Sequence, residues 1–190
     1  MKKIFFVAII ILCCTFSIFL VKEILFPEEK RFYVNGLLFE KTKIDKIDIY
    51  YTSTLLQTFY FRNDPRKLKK IPFDVNSSIE YKNYVSYTPE ALECKEINLA
   101  AWSIGSFFGK LGKDVKAGIT ETIEGKKNAT IINCTTHEEL TIILKAKAKK
   151  TRIYNEEEKC IIIEAKNCEV LKAVEGFIFG MLVKMTSQRR

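Results

Sequence analysis

The sequence predicts an α/β domain, with α+β as the alternative: a mixed sheet of about five strands carrying two main helices, preceded by one N-terminal transmembrane helix. Three observations predict it. The run Ile4 to Val21 holds no charge, and eighteen residues rise roughly 27 Å, close to a hydrocarbon core. Runs of β-branched and aromatic residues alternate with turn signals along the middle of the chain. Two later segments repeat apolar residues every three to four positions.

Residues 1–26 read as a signal anchor. Lys22 and Glu23 interrupt the apolar run, which resumes at Ile24, Leu25 and Phe26. A cleaved signal peptide fits less well, because the apolar stretch is long and no small-residue cleavage site follows. A buried core helix is the third reading, opposed by the lack of a polar face. Residues 27–46 read as a linker and hairpin, with Asn35-Gly36 between apolar runs as a tight turn. Residues 47–190 read as one domain.

Within it, Ile47 to Arg62 is strand material with a turn near Ser53. Asn63-Asp64-Pro65 opens a short helical turn ending before Pro72. Asn83 to Tyr87 reads as a strand. Thr88-Pro89-Glu90 opens a helix, with Thr as N-cap and Pro at the first helical position. Ile97, Ala101, Ile104, Phe108 and Leu111 continue its stripe, and Gly112 marks the end. Gly105 and Gly109 are read as tolerated glycines. Val115 to Glu121, Thr130 to Cys134 and Glu139 to Lys149 read as strands. In the last, Leu140, Ile142, Leu144, Ala146 and Ala148 share one face, with Lys145, Lys147 and Lys149 on the other. Asn155-Glu-Glu-Glu reads as a turn, Cys160 to Ala165 as a strand, and Cys168 to Met185 as the closing helix. The stripe on that helix (Val170, Val174, Phe177, Met181 and Met185, with Leu171, Ile178 and Leu182) is expected to pack on the sheet.

Composition narrows the function classes. Hydrophobic residues at 47% exclude a disordered chain, and charged residues at 28% exclude a multi-span membrane protein. The net charge of +8 favours anionic partners. Lys145, Lys147, Lys149, Lys150 and Arg152 form a candidate site for anionic lipid or polysaccharide. Nucleic acid is disfavoured, because alanines rather than aromatics alternate with these lysines.

Two features place the domain outside the membrane, against the lysine and arginine count beyond the span. Cys94, Cys134, Cys160 and Cys168 are an even set without metal-ligand spacing, so disulfides are expected and a metal is not. Cys134 with Cys160 joins two strands, and Cys94 with Cys168 joins the starts of two helices. N-x-[ST] occurs at Asn76, Asn128 and Asn133, three matches among nine asparagines, where chance gives roughly one; these are the glycosylation candidates. The single histidine, His137, stands beside Glu138 and Glu139 and reads as a loop histidine rather than a ligand or base. No nucleophile elbow, P-loop, dinucleotide fingerprint or H-E-x-x-H is present. No cofactor or catalytic residue is expected.

Phe61-Arg-Asn-Asp-Pro-Arg, Ile132-Asn-Cys134, Cys160-Ile-Ile-Ile-Glu and the closing helix together resemble a family of uncharacterised small membrane-anchored archaeal proteins from reduced-genome lineages. The resemblance covers roughly residues 55 to 185. It implies a single N-terminal anchor and an extracytoplasmic domain, and it brings no known activity. The expectation is a non-enzymatic binding or assembly module at the cell envelope, with a protein partner there. The alternatives are an envelope thiol-redox or other enzyme with a non-local site, and an accessory subunit of a membrane complex whose span presents Cys13, Thr15 and Ser17.

Overall fold

The structure, a computed structural model, describes residues 30–54, 57–122 and 129–188. The expected anchor, the sequon Asn128 and contacts through Cys13, Thr15 and Ser17 lie outside the described residues. Among the described residues, no helix is long and apolar enough to cross a membrane.

The first four strands form an antiparallel meander: β1 (Arg31–Val34), β2 (Leu37–Ile44), β3 (Ile47–Ser53) and β4 (Thr58–Phe61). Asn35 (φ 49°) and Gly36 (φ 81°) make the first turn; both left-handed angles match the twist of the paired strands. The boundary expected at residue 46 falls inside a hairpin instead, because Ile44 pairs with Ile47. The expected hairpin at Asn35-Gly36 is there, but residues 30–46 are half of this sheet rather than a segment set before the domain. Phe32, Phe39, Tyr50, Phe59 and Phe61 alternate onto one buried face.

Helix α1 (Pro65–Leu68) follows, capped by the Asp64 carboxylate, which accepts from the Arg66 N–H at 2.9 Å. Then come β5 (Phe73–Asp74), β6 (Lys82–Tyr87), α2 (Pro89–Leu92), α3 (Ile97–Lys110), β7 (Asp114–Ile119), β8 (Leu140–Ala148), β9 (Arg152–Glu157), β10 (Cys160–Lys166) and α4 (Val170–Ser187). The expected helix from Thr88 to Leu111 breaks into α2 and α3, and Thr88 makes no side-chain capping bond. The end is as expected: Gly112 has φ 65°, and the Lys113 N–H reaches back to Phe108 O at 3.0 Å.

β5 to β10 form one mixed sheet of six strands in the order β5-β9-β10-β8-β6-β7, so the protein is a mixed α+β fold with two sheets where one was expected. β7, β6, β8 and β10 run parallel, and β9 is antiparallel to β10. The helices pack on one face of this sheet, and the meander covers them from the other side. Ring pairs mark the second contact: Phe39 with Phe179 at 6.1 Å and Phe59 with Phe107 at 5.9 Å. The result is three layers: sheet, helices, sheet. It explains α4, whose residues Val170, Leu171 and Ala173 to Leu182 are all buried. A helix apolar on every side needs a partner on every side.

Close approach to α4 depends on two glycines. A Cβ at Gly176 would stand 2.7 Å from Ile71 Cδ1, and one at Gly180 would overlap the Phe73 ring. Gly105 and Gly109 meet nothing within 4 Å, so they are tolerated rather than required.

Two expected elements change. Thr130 to Cys134 forms only an isolated bridge, Ile119 with Ile131. Its polar side chains bond the backbone instead: Asn133 Oδ1 accepts from the Thr135 N–H at 3.0 Å, and Thr136 Oγ1 accepts from the Asn133 N–H at 2.9 Å. Such bonds compete with a strand ladder. Conversely, Asn155 to Glu157 continue β9, and the turn is Glu158-Lys159.

Candidate functional site

The face of the mixed sheet opposite the helices carries most of the polar chemistry. Alternation sends Ile142, Leu144, Ile161 and Ile163 into the main core. It sends Thr141, Ile143, Lys145, Cys160, Ile162, Glu164, Arg152 and Tyr154 to the other side. There Ile143, Cys160 and Ile162 form a small buried cluster, with Cys134 and Tyr154 packed against it. The chain from 129 to 139 crosses this face. Ile132 seats on it over Gly118, where a Cβ would stand 2.6 Å from Ile132 Cδ1.

The cysteines meet in the two pairs expected. Cys134 is bonded to Cys160, with Cα atoms 5.4 Å apart, and ties the crossing segment to the sheet. Cys94 is bonded to Cys168, also 5.4 Å between Cα atoms, and ties the α2–α3 junction to the turn that leads into α4. The two pairs differ in surroundings. Cys94 is 3% exposed. Cys134 is half-buried, and Glu156 Oε2 stands 3.7 Å from its Sγ. Cys134, Glu156 and Cys160 are a group of potential metal-ligating atoms within 4.8 Å of one another. Bonded to each other, the two sulfurs present no thiolate to a cation.

The basic strand is not a single cationic face. Lys147 has φ 59°, and the β8–β10 register shifts beside it, which breaks the alternation expected of Lys145, Lys147 and Lys149. Three of these cations meet a carboxylate, and Arg152 also lies over the Tyr154 ring at 4.5 Å. Lys145 faces Glu156 at 3.7 Å, Lys147 meets Glu93 at 2.6 Å, and Arg152 clasps Glu164 at 2.5 and 3.0 Å. The Arg152 guanidinium holds the Glu164 carboxyl below its usual range, and Tyr154 adds a hydrogen bond at 3.2 Å. Lys149 and Lys150 are exposed beyond the strand.

His137 lies on the crossing segment with its ring flat on Tyr84, 3.7 Å between centroids and 2° between planes. Its Nε2 is buried with no hydrogen-bond partner among the described residues. That is a packed histidine. Of the sequons, Asn76 is exposed and Asn133 is half-buried with its Oδ1 engaged by Thr135.

Three polar residues that the sequence reading passed over do more structural work. Glu175 sits in the apolar run of α4, 2% exposed. Its carboxylate accepts from the Arg62 N–H at 2.7 Å, and from the Asn63 N–H and Nδ2 at 2.8 Å each. Burial pushes its carboxyl above the usual range, outweighing these bonds. Lys184 Nζ donates to the carbonyls of Val75, Asn76 and Ser77 at 3.1, 2.8 and 3.0 Å. Asn155 holds the same segment from the other side, its Oδ1 accepting from the Asn76 N–H at 2.8 Å. The signal for Glu175 was a lone carboxylate inside an apolar helix. Beside Asn155 opens a cleft of about 480 Å³, lined by Ser77, Glu80, Glu156, Glu158 and Lys159 among others. It lies at the amino ends of β8 and β10, and its side chains offer carboxylates without a paired nucleophile and base.

No family model matches the chain, and no curated protein or solved structure does either.

Proposed function

We propose that this is a membrane-anchored, extracytoplasmic domain that acts by binding, as an assembly module of the cell envelope. One observation carries the reading: the two cystine bridges join distant parts of the chain, with sequence separations of 74 and 26. Bridges of that kind persist in oxidising compartments and are rare where glutathione and thioredoxin keep thiols reduced. The uncharged run before the domain supports attachment to the membrane. The experiment is thiol labelling of intact cells with a membrane-impermeant maleimide. The four domain cysteines should resist label until a reductant is added, and then react without lysis. Full reactivity before reduction, or reactivity only after lysis, would overturn the placement.

A thiol-exchange role is the second reading. It is favoured by the half-buried Cys134, with a carboxylate beside its sulfur. A dithiol reductant that opens Cys134–Cys160 while Cys94–Cys168 stays closed would support it.

A further inference from the structure

The meander carries large apolar residues on both faces, with Arg31, Glu40, Thr42, Ser53 and Thr58 among those of the outer one. Its inner face packs on the helices. On its outer face lie Tyr33 (75% exposed), Leu38, Ile44 (60%), Ile47 (46%) and Tyr60 (58%). Strand pairing makes them neighbours: Tyr33 opposes Leu38, Ile44 opposes Ile47, and Tyr51 opposes Tyr60. The one charged pair among them, Arg31 with Glu40 at 3.0 Å, is neutral as a unit, and the Tyr51 hydroxyl donates to the same carboxylate at 2.6 Å.

The register shows where this face must stand. β1 begins at Arg31, opposite Glu40, and its pairing reaches back one step to Lys30, whose carbonyl accepts from the Lys41 N–H at 2.7 Å. β2 continues past that point through Thr42, Lys43 and Ile44 before the turn. Because β2 runs opposite to β1, this overhang points toward the end of the sheet from which the chain arrives. Three residues of strand make it about 10 Å long. The apolar sequence, interrupted only by Lys22 and Glu23, ends at Phe26, and the four steps to Lys30, which stands level with Lys41, reach at most about 14 Å. A chain anchored through that run, with its strands turned toward the membrane, brings the Ile44–Ile47 tip to within about 4 Å of the hydrocarbon edge, inside the headgroup layer.

We infer that the outer face of the meander docks on the lipid surface of the membrane that holds the chain. The β2–β3 tip enters the interface through Ile44 and Ile47, and the sheet tilts so that its outer face lies along the surface, where Tyr60 and Tyr33, about 13 and 20 Å along the strands from the tip, meet the headgroups. Tyrosines suit that level because an apolar ring and a polar tip meet both environments. Lys43 and Lys46 flank the isoleucines, but Asp45 and Asp48 balance their charge and Lys43 pairs with Asp48 at 3.9 Å, so the tip enters through its apolar side chains rather than by charge. The inference rests on the anchored reading given above.

The test uses the full chain reconstituted into vesicles of phosphatidylcholine and phosphatidylglycerol, with and without bromine on the upper acyl chains. The native tryptophan is removed by Trp102→Phe, and the reporter is Ile47→Trp. The control is Glu158→Trp in the β9–β10 turn, on the sheet separated from the meander by the helix layer. Docking predicts bromine quenching of the Ile47→Trp reporter at least about twofold stronger than of the control, with a blue-shifted emission. Equal quenching in a chain that resists carbonate extraction would overturn the docking and leave the anchor standing. Release of the chain by carbonate would overturn the anchor reading itself. Weak quenching with crosslinks between copies through Tyr33 or Tyr60 would assign the face to a second copy and refute the lipid. As a second variant, Ile44→Asp with Ile47→Asp alters only exposed side chains. It should abolish the protection of the tip from added protease that vesicles confer, and unchanged protection would also refute the docking.

Discussion

Replacing Glu175 with leucine tests how α4 is joined to the meander. The carboxylate accepts three hydrogen bonds, two of them from backbone N–H groups of Arg62 and Asn63 just after β4. Hydrogen bonds to a charged group contribute about 1.5–3 kcal/mol each. Against them stands the desolvation of a buried carboxylate with no cation bonded to it, which costs several kcal/mol. Leucine removes both terms and leaves two backbone donors without their acceptor, at about 1–3 kcal/mol each. Arg62 is exposed and Asn63 half-buried, so water relieves part of this. The expected net loss for Glu175→Leu is about 2–4 kcal/mol at pH 7. Urea unfolding followed by circular dichroism measures it, with an unchanged m-value as the condition for reading the midpoint as stability. The pH dependence supplies a second sign. The folded-state pKa is raised, so between the ordinary glutamate value and the raised one the folded chain holds a proton that the unfolded chain has released. Stability due to this group is therefore present at low pH and falls as pH rises through that window, by up to about 1.4 kcal/mol per unit. The leucine variant should lose this slope. Wild-type stability in the variant, or an unchanged slope, would show that the carboxylate is not the tether described.

Four further outcomes follow from other contacts. Gly180→Ala forces a Cβ into the Phe73 ring and should destabilise by about 1–3 kcal/mol, whereas Gly105→Ala meets open space and should stabilise by about 0.5–1 kcal/mol; the two urea midpoints should move in opposite directions. Opening Cys94–Cys168 by paired serine substitution should cost about 4.5 kcal/mol and opening Cys134–Cys160 about 3.5, from the loop lengths alone, with thermal midpoints falling in that order. Glu164 has a lowered carboxyl pKa, so its stabilising contribution is present above the ordinary glutamate value and fades as pH falls through the lowered one; Arg152→Ala should remove that acid-side dependence. Lys184→Met strips a donor from three carbonyls and should cost about 1–3 kcal/mol, with faster amide exchange confined first to residues 75–78.

Much of the local structure was legible because it is written in short-range chemistry. Asn35-Gly36 demands a turn, Asp64-Pro65 opens a helix, and Gly112 ends one. The cysteine pairs came out as expected but by another geometry, since Cys134 lies on the irregular crossing segment rather than a strand, and Cys94 and Cys168 lie beside helix ends rather than in first turns. The misreadings share a cause. Lys147 was assigned to a face by alternation, but a left-handed residue at a register shift breaks alternation without any mark in composition. Thr130 to Cys134 has strand-like residues, yet its Asn and Thr side chains take the backbone bonds first. Gly105 and Gly109 have the same spacing as Gly176 and Gly180, and only the neighbour across the gap distinguishes them.

The sequence by itself determined which residues turn, which alternate, and which side of each element is apolar, because those properties depend on neighbours a few positions away. It also determined the uncharged run from Ile4 to Val21 and the parity of the cysteines. Only the tertiary structure decided how many layers those apolar sides would build. One sheet and two helices would have left the outer side of α4 bare. The meander, whose first two strands read as a linker and hairpin set before the domain, covers that side, and Glu175 is buried between them. Burial is set by what arrives from distant parts of the chain. The same packing leaves one apolar surface still open, the outer face of the meander, at the end of the sheet where the chain enters.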